Sequence, residues 1–182
     1  TNSRVTFGTT HGVYTNTVDS ATLTTEHIVR LSGLTPDTKY FYTIGSTTTT
    51  LQNDVLCNFL TLPPANTTRK LRFVAFGDCG DGSANQVAVK NALKTYLGSN
   101  DVDAMLLLGD NTYNTGTDVE YQTLFFNPYK DDILKYFKLY PAPGNHDYGE
   151  NNTLPFTGNR NNPYFQSFSV PTAGESGGLA SG

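Results

Sequence analysis

The chain has 182 residues, of which 37% are apolar and 12% aromatic, enough to bury the core of one large or two small domains. Twelve basic and 16 acidic residues give a net charge of −4 without basic blocks, which argues against a nucleic-acid or anionic-membrane partner. No apolar run reaches the roughly 18 residues that a membrane span needs. We therefore expect neither a nucleic-acid partner nor a membrane partner.

The first third of the chain is rich in threonine, with 17 threonines in residues 1–61 against 10 in residues 62–182. Short runs there alternate β-branched or aromatic residues with polar ones and are separated by glycine, proline and aspartate. This pattern predicts antiparallel strands. The predicted strands are Arg4–Phe7, Glu26–Leu31, Lys39–Ile44 and Val55–Leu60.

A turn of distinctive sequence precedes the third of these runs. The stretch 34–40 fits the pattern Leu-x-Pro-x-x-x-Tyr, and in β-sandwiches a tyrosine at such a corner bonds its hydroxyl to upstream backbone. Residues 1–62 resemble an all-β fibronectin type III sandwich that lacks its first strands. Two prolines and polar residues follow, so we interpret residues 63–70 as a linker.

The apolar period changes past the linker, where helical spacing begins. Ser83 followed three residues later by Gln86 predicts a helix start. The continuous apolar run Ala104–Leu108 is expected to be buried on both faces. The β-α-β-α-β order implies a parallel sheet with crossover helices in an α/β domain over residues 71–182. The predicted elements are a strand at Leu71–Phe76, a helix from Ser83 to Gly98, a strand at Ala104–Leu108, a shorter helix within 118–136 and a strand at Phe137–Tyr140.

Each predicted strand of this domain is followed by polar residues whose side chains could bind a metal ion or take part in catalysis. Asp78 follows the first strand, Asp110 the second, and Asn145 with His146 the third. Since the carboxyl ends of parallel strands share one edge of the sheet, we expect these four side chains to converge. Oxygen donors gathered there suit hard or borderline cations, and a cation would hold two close carboxylates ionised.

The spacing of these residues resembles a known family. The stretches 78–80, 109–113 and 144–147 match Asp-x-Gly, Gly-Asp-x-x-Tyr and Gly-Asn-His-Asp, the first three signature blocks of the calcineurin-like metallophosphoesterases. The tyrosine three residues after the second aspartate, and the fibronectin-like N-terminal domain, resemble the purple acid phosphatases. The resemblance implies hydrolysis of phosphate monoesters by a metal-activated hydroxide at a dinuclear site. It also implies a secreted or periplasmic protein whose substrates are small phosphate esters or phosphoproteins.

The resemblance also implies a role for each residue of the blocks. Asp78 would bind the first metal, Asp110 would bridge both, and Tyr113 would bind the first metal as a tyrosinate that favours Fe(III). Asn145 would bind the second metal, Fe(II), Zn(II) or Mn(II), and contact the substrate. His146 would be catalytic: it is not a ligand in the family, but lies near the phosphate and stabilises charge or protonates the leaving oxygen.

The sequence departs from the family pattern in its later blocks. The family motifs Val-x-x-His and Gly-His-x-His supply three metal-binding histidines, whereas the last histidine here is His146. We therefore expect the sequence to be an incomplete stretch of a longer enzyme, with a degenerate relative as the alternative. Cys79, in the variable position of the first block, is expected to pack inward and not to pair with Cys57.

Three short stretches of the sequence partly fit motifs of other functions. The stretch 174–178 fits the Gly-x-Ser-x-Gly nucleophile elbow, but no histidine follows it. A dinucleotide loop at residues 80–82 fails because Asn85 replaces the third glycine, and a calcium loop from Asp78 fails because Val89 replaces its final glutamate. The remaining alternative is a non-catalytic binding or adhesion protein, which metal content and colour would distinguish. The substrate and the oligomeric state stay open.

Overall fold

The computed structural model describes residues 1–148 and 162–170, so the 174–178 motif lies outside the described residues. The chain divides into two compact units. The first unit comprises Thr1–Phe73, Asn100–Ala104 and Lys130–Lys138, and the second comprises the described residues of 74–99, 105–129 and 139–170. Among the described helices, none has both the length and the apolar character needed to cross a membrane.

The first unit is built on one antiparallel sheet of five strands. The strand order is β2-β1-β3-β4, and β5 pairs with β3 as well. In the centre of the sheet, Val5 of β1 lies opposite Val18 of β2 on one side and Ile44 of β3 on the other. The strands are β1 (Ser3–Gly8), β2 (Asn16–Ser20), β3 (Lys39–Gly45), β4 (Thr50–Gln52) and β5 (Asn58–Leu60).

The predicted tyrosine corner is confirmed in its geometry. Tyr40 is only 7% exposed, and the backbone N–H of Thr35 donates to its hydroxyl at 3.0 Å. The ring packs against Phe7 and Phe59, with ring centroids 6.0 and 5.8 Å away. The corner therefore fixes where β3 begins and anchors the aromatic core of this sheet.

The predicted strand Glu26–Leu31 is wrong. This stretch carries no strand in the described chain, and Ile28 in its middle is 70% exposed. Its alternation supplies the side-chain pattern of a strand, but a strand also needs a neighbour for its backbone N–H and C=O groups, and no described strand pairs with it. The five strands that form belong to one sheet, so the two-sheet fibronectin-like sandwich stays a prediction.

The second sheet has the order β6-β7-β8, and β7 runs parallel to β8 with Met105 opposite Leu139. The Asp78 N–H donates to the Gly109 carbonyl at the carboxyl ends of β6 and β7. Pro141 is tolerated in β8 because an edge strand can do without its N–H. The predicted β-α-β-α-β succession along the chain is confirmed, and three strand ends meet at one edge. The strands are β6 (Phe73–Phe76), β7 (Ala104–Leu108) and β8 (Leu139–Ala142).

The predicted long helix is confirmed. The Ser83 hydroxyl accepts from the Gln86 N–H at its start, and Gly98 ends it. The shorter predicted helix is a run of three helical segments that ends at Tyr129. The helices are α1 (Ala84–Leu97), α2 (Asp118–Glu120), a π-helical segment (Tyr121–Phe126), α3 (Asn127–Tyr129), a 3-10 helix (His146–Tyr148) and α4 (Pro163–Ser167).

The expectation that Ala104–Leu108 is buried on both faces is wrong for the described residues. Met105 and Leu107 are 1% exposed, whereas Leu106 and Leu108, which point to the opposite face, are 37% and 63% exposed. Side chains of a strand alternate between faces, so the described part of the chain covers only one face of this sheet.

Candidate functional site

Two aspartates lie directly after β6 and β7, at the carboxyl edge of the parallel sheet. Both adopt left-handed backbone conformations, with φ of 52° at Asp78 and 49° at Asp110. Residues other than glycine rarely adopt this conformation, and where they do it is often at functional sites. The turn that follows each strand therefore sets the direction of its aspartate by a backbone conformation that costs free energy.

Tyr113 joins the two aspartates. Its hydroxyl lies within hydrogen-bond distance of Asp78 Oδ1 and, at 3.3 Å, of Asp110 Oδ2. Burial, together with the two carboxylates, raises the pKa of Tyr113. The structure thus brings together three side chains with oxygen donors, although Asp78 follows β6 in the sequence and Asp110 and Tyr113 follow β7.

The loop after β8 contacts Asp110. The His146 N–H donates to Asp110 Oδ1 at 3.0 Å. Gly144 lies so close to Asp110 that a Cβ there would overlap Asp110 Oδ1. Asn145 lies between these two residues, with an exposed side chain. The three strand ends therefore meet, with Asp78, Asp110 and the His146 main chain close together, while the place of the Asn145 side chain at the site stays a prediction. A side chain at position 144 would displace Asp110.

The His146 ring is fixed from two sides. Its Nδ1 lies 2.6 Å from the Asn114 carbonyl, and its centroid lies 4.5 Å from that of the Tyr113 ring. A carbonyl can only accept a hydrogen bond, so Nδ1 carries the proton toward Asn114. In the neutral ring, Nε2 is then the nitrogen that can accept a proton, and in the charged ring it can donate one.

Asp147, the residue after this histidine, is completely buried. Its carboxylate accepts hydrogen bonds from the Asn111 backbone N–H at 3.2 Å, the Asn111 side-chain amide at 3.1 Å, the Gly144 N–H at 2.7 Å and the Tyr121 hydroxyl. Burial raises the pKa of Asp147. One carboxylate thus ties the loop after β7 to the loop after β8, which holds Asp110 against His146.

Sequence reasoning missed Asn111 and Tyr121, and it noted Asp147 only as compatible with the family. Asn111 is fully buried and its amide also donates to the Ala142 carbonyl at 3.0 Å. Asn111 lies between Asp110 and Tyr113 in the sequence. Nothing in the sequence tells whether such an asparagine has a buried, hydrogen-bonded side chain or an exposed one. The role of Asn111 becomes visible only when the two loops are seen together.

Glu120 organises the loop that carries Asn114. Its carboxylate accepts from the N–H groups of Asn114, Thr115 and Thr117 at 2.6, 3.1 and 3.0 Å, and from both threonine hydroxyls at 3.1 Å. Burial acts to raise the pKa of Glu120, but these hydrogen bonds outweigh it and lower the pKa to about 2. The Thr-x-x-Glu capping-box pattern at residues 117–120 was the signal that could have found it.

Both cysteines are buried and unpaired, as expected. The Cys79 thiol lies 3.8 Å from the Asn111 carbonyl, and burial, with the nearby Asp147 charge, raises its pKa to about 12. Cys79 is only 6% exposed, and the nearest partner of its thiol is a main-chain carbonyl. The prediction that it packs inward is confirmed.

Within residues 1–148 and 162–170, no three His, Cys, Asp or Glu side chains form a group that could hold a metal ion. The candidate site instead combines the carboxylates of Asp78 and Asp110 with the phenol of Tyr113. The Asn145 amide stays a predicted member of the site. His11 and His27 belong to the first unit.

Comparisons with known proteins place this site in context. The family model of the calcineurin-like phosphoesterases matches residues 71–179, more than half of the chain. The solved structure of a purple acid phosphatase, PPD1, from yellow lupin (Lupinus luteus) seeds superposes with a TM-score of 0.60 at 20% sequence identity. The match covers 80% of this chain and 30% of the lupin chain. The search of the curated proteins finds no match.

We predict that Asp147→Ala destabilises the chain by about 3 kcal/mol, because buried donors lose their acceptor. Urea unfolding followed by tyrosine fluorescence measures this, since the chain has no tryptophan. Asp131→Ala is the control, because the Asp131 side chain is 70% exposed. A loss below about 1 kcal/mol would show that Asp147 does not hold the two loops together.

Proposed function

Because the chain belongs to the calcineurin-like phosphoesterase family, we propose that it hydrolyses phosphate monoesters at the carboxyl edge of its parallel sheet. The observation that supports this most directly is the meeting of three oxygen donors, from Asp78, Asp110 and Tyr113, where β6 and β7 end. The His146 ring lies beside them, against the Tyr113 ring. This combination provides a cation site and a proton-carrying group within one cluster.

The donor set fits two metal ions of the kind that the family resemblance implies. The Tyr113 proton now lies among oxygens that would otherwise repel one another, and a cation bound in its place would relieve the same repulsion. We propose that Asp78 and Tyr113 hold Fe(III), and that Asp110 is shared with a second ion. Asn145 holds that ion, Fe(II), Zn(II) or Mn(II). Carboxylate and phenolate oxygens are hard donors, which suit the higher charge of Fe(III).

The chain's own residues contribute orientation and protons. When bound, two metal ions activate water and neutralise the phosphoryl oxygens. His146 keeps its Nδ1 proton on the Asn114 carbonyl, so it is through Nε2 that the charged ring stabilises phosphoryl charge or donates a proton to the leaving oxygen. Asn145 contributes an amide to the same phosphoryl group.

The substrate class and the cellular location rest on the resemblance. We propose small phosphate esters or phosphoproteins as substrates and a secreted or periplasmic location, with the fibronectin-like sandwich as the accompanying domain. The match spans only 30% of the lupin chain, and the three family histidines of the later blocks have no counterpart among His11, His27 and His146. The proposal therefore concerns the part of the metal centre that this chain supplies.

We predict that Asp110→Ala in the native protein removes bound metal and lowers the hydrolysis of p-nitrophenyl phosphate by at least about 100-fold, because a shared ligand holds both ions. Metal is quantified by elemental analysis of the same samples. Asp118→Ala is the matched control, since Asp118 is exposed in α2. Hydrolysis retained in the Asp110 variant would reject the bridging role.

We predict that Tyr113→Phe abolishes a visible charge-transfer absorption band of the native protein, because that band requires a tyrosinate bound to Fe(III). The measurement is the absorption spectrum alongside the iron content. Tyr96→Phe is the control, since Tyr96 is 85% exposed on α1. A colourless native protein that contains zinc but no iron would contradict the iron assignment, and a metal-free one would favour the binding or adhesion alternative.

A further inference from the structure

One carboxylate outside the candidate metal site gathers an unusual number of donors. Glu120 accepts five hydrogen bonds, all from residues 114–117. Its Oε1 accepts from the Asn114 N–H at 2.6 Å, the shortest of the five, and Oε2 takes the other four. A carboxylate that uses both oxygens in this way fixes the backbone of the whole loop.

The hydrogen bonds exceed what helix capping requires. Glu120 is the third residue of α2, and its capping box with Thr117 accounts for the Thr117 N–H. The remaining backbone donors, Asn114 and Thr115, precede the cap and belong to the loop. Glu120 therefore organises a segment that reaches back toward Tyr113, in addition to starting a helix.

This loop touches His146 at two points. The Asn114 carbonyl faces the ring Nδ1 at 2.6 Å. Gly116 lies against the backbone of the same histidine, so that a Cβ at that position would be 2.6 Å from the His146 carbonyl oxygen. The loop thus contacts both the ring and the main chain of His146, and Glu120 holds the loop.

We propose that Glu120 is a positioning residue for His146: through the loop 114–117 it directs the Asn114 carbonyl at Nδ1 and so keeps the proton of the neutral ring on that nitrogen. Free imidazole side chains in water favour the proton on Nε2, so the loop selects the less common tautomer. Its effect is to make Nε2 the nitrogen that takes up a proton when the ring becomes charged and gives it back when the ring becomes neutral. The low pKa of Glu120 keeps the carboxylate ionised in acid.

Only the expected effect on kcat rests on the proposed function, because it assumes that His146 takes part in the hydrolysis. The tautomer of His146 is a property of the chain itself and is measurable without turnover. A failure of the proposed function would appear as absent hydrolysis in the native protein, whereas a failure of this inference would appear in the tautomer.

The test compares the native sequence and Glu120→Gln by ¹⁵N-edited NMR of the imidazole nitrogens, with His146→Ala to assign the signals. All samples carry diamagnetic Zn(II) in place of any iron, so that the His146 signals are not broadened. We expect His146 of the native protein to carry its proton on Nδ1. In Glu120→Gln, the carboxylate that accepts five hydrogen bonds is replaced by an amide, which has only one accepting oxygen. Because the loop is then held less firmly, we expect the proton of the neutral His146 ring to move largely to Nε2. The kcat for p-nitrophenyl phosphate should fall by about tenfold, with KM changed less than about twofold, because the Asn114 carbonyl no longer holds the His146 ring in place for proton transfer.

Asp118→Asn is the matched control, because it removes a carboxylate from the same helical turn without touching the loop. In this variant, the tautomer of His146 and the kcat should equal those of the native protein. A folded Glu120→Gln variant that keeps the Nδ1 proton overturns the proposal. If Glu120→Gln does not fold, Thr115→Val removes one of the five hydrogen bonds and keeps the side-chain shape. A faster solvent exchange of the Nδ1 proton in that variant supports the proposal, and an unchanged exchange rate overturns it.

Discussion

The buried carboxylate of Asp147 is the interaction on which the geometry of the site depends. It takes no direct part in the proposed chemistry, yet it accepts hydrogen bonds from Asn111, Gly144 and Tyr121. Without it, buried donors on two separate loops would lose their acceptor. Because the loops also carry Asp110 and His146, this one carboxylate converts two strand ends into one site.

A second carboxylate acts through a different loop. Glu120 fixes the loop whose Asn114 carbonyl faces the His146 ring, while Asp147 accepts from the Gly144 N–H, two residues before the histidine. The close contact between Gly144 and Asp110 also fixes the site, because only glycine at position 144 leaves room for the Asp110 side chain. Asp110 and His146 are thus held in place by the residues packed around them, as preorganised sites generally require.

Much of this arrangement follows from the sequence, because polar residues directly after parallel strands must share an edge. That rule predicts that Asp78, Asp110, Asn145 and His146 lie close together, and the described contacts join Asp78, Asp110 and His146. It could not identify Asn111 or Glu120, since their roles arise from loops that meet only in the fold. The strand predicted at 26–31 failed for a related reason: alternation reports the side chains of a strand and says nothing about its backbone partner.

The central claim is that the oxygens of Asp78, Asp110 and Tyr113 bind metal. Anomalous diffraction from crystals of the native protein, collected at the absorption edge of whichever metal elemental analysis finds, tests it most directly. We expect a peak about 2 Å from oxygens of both aspartates, with the Tyr113 hydroxyl turned onto the metal. Metal-containing crystals with no peak there, and with the Tyr113 hydroxyl still bonded to Asp78, would contradict the account.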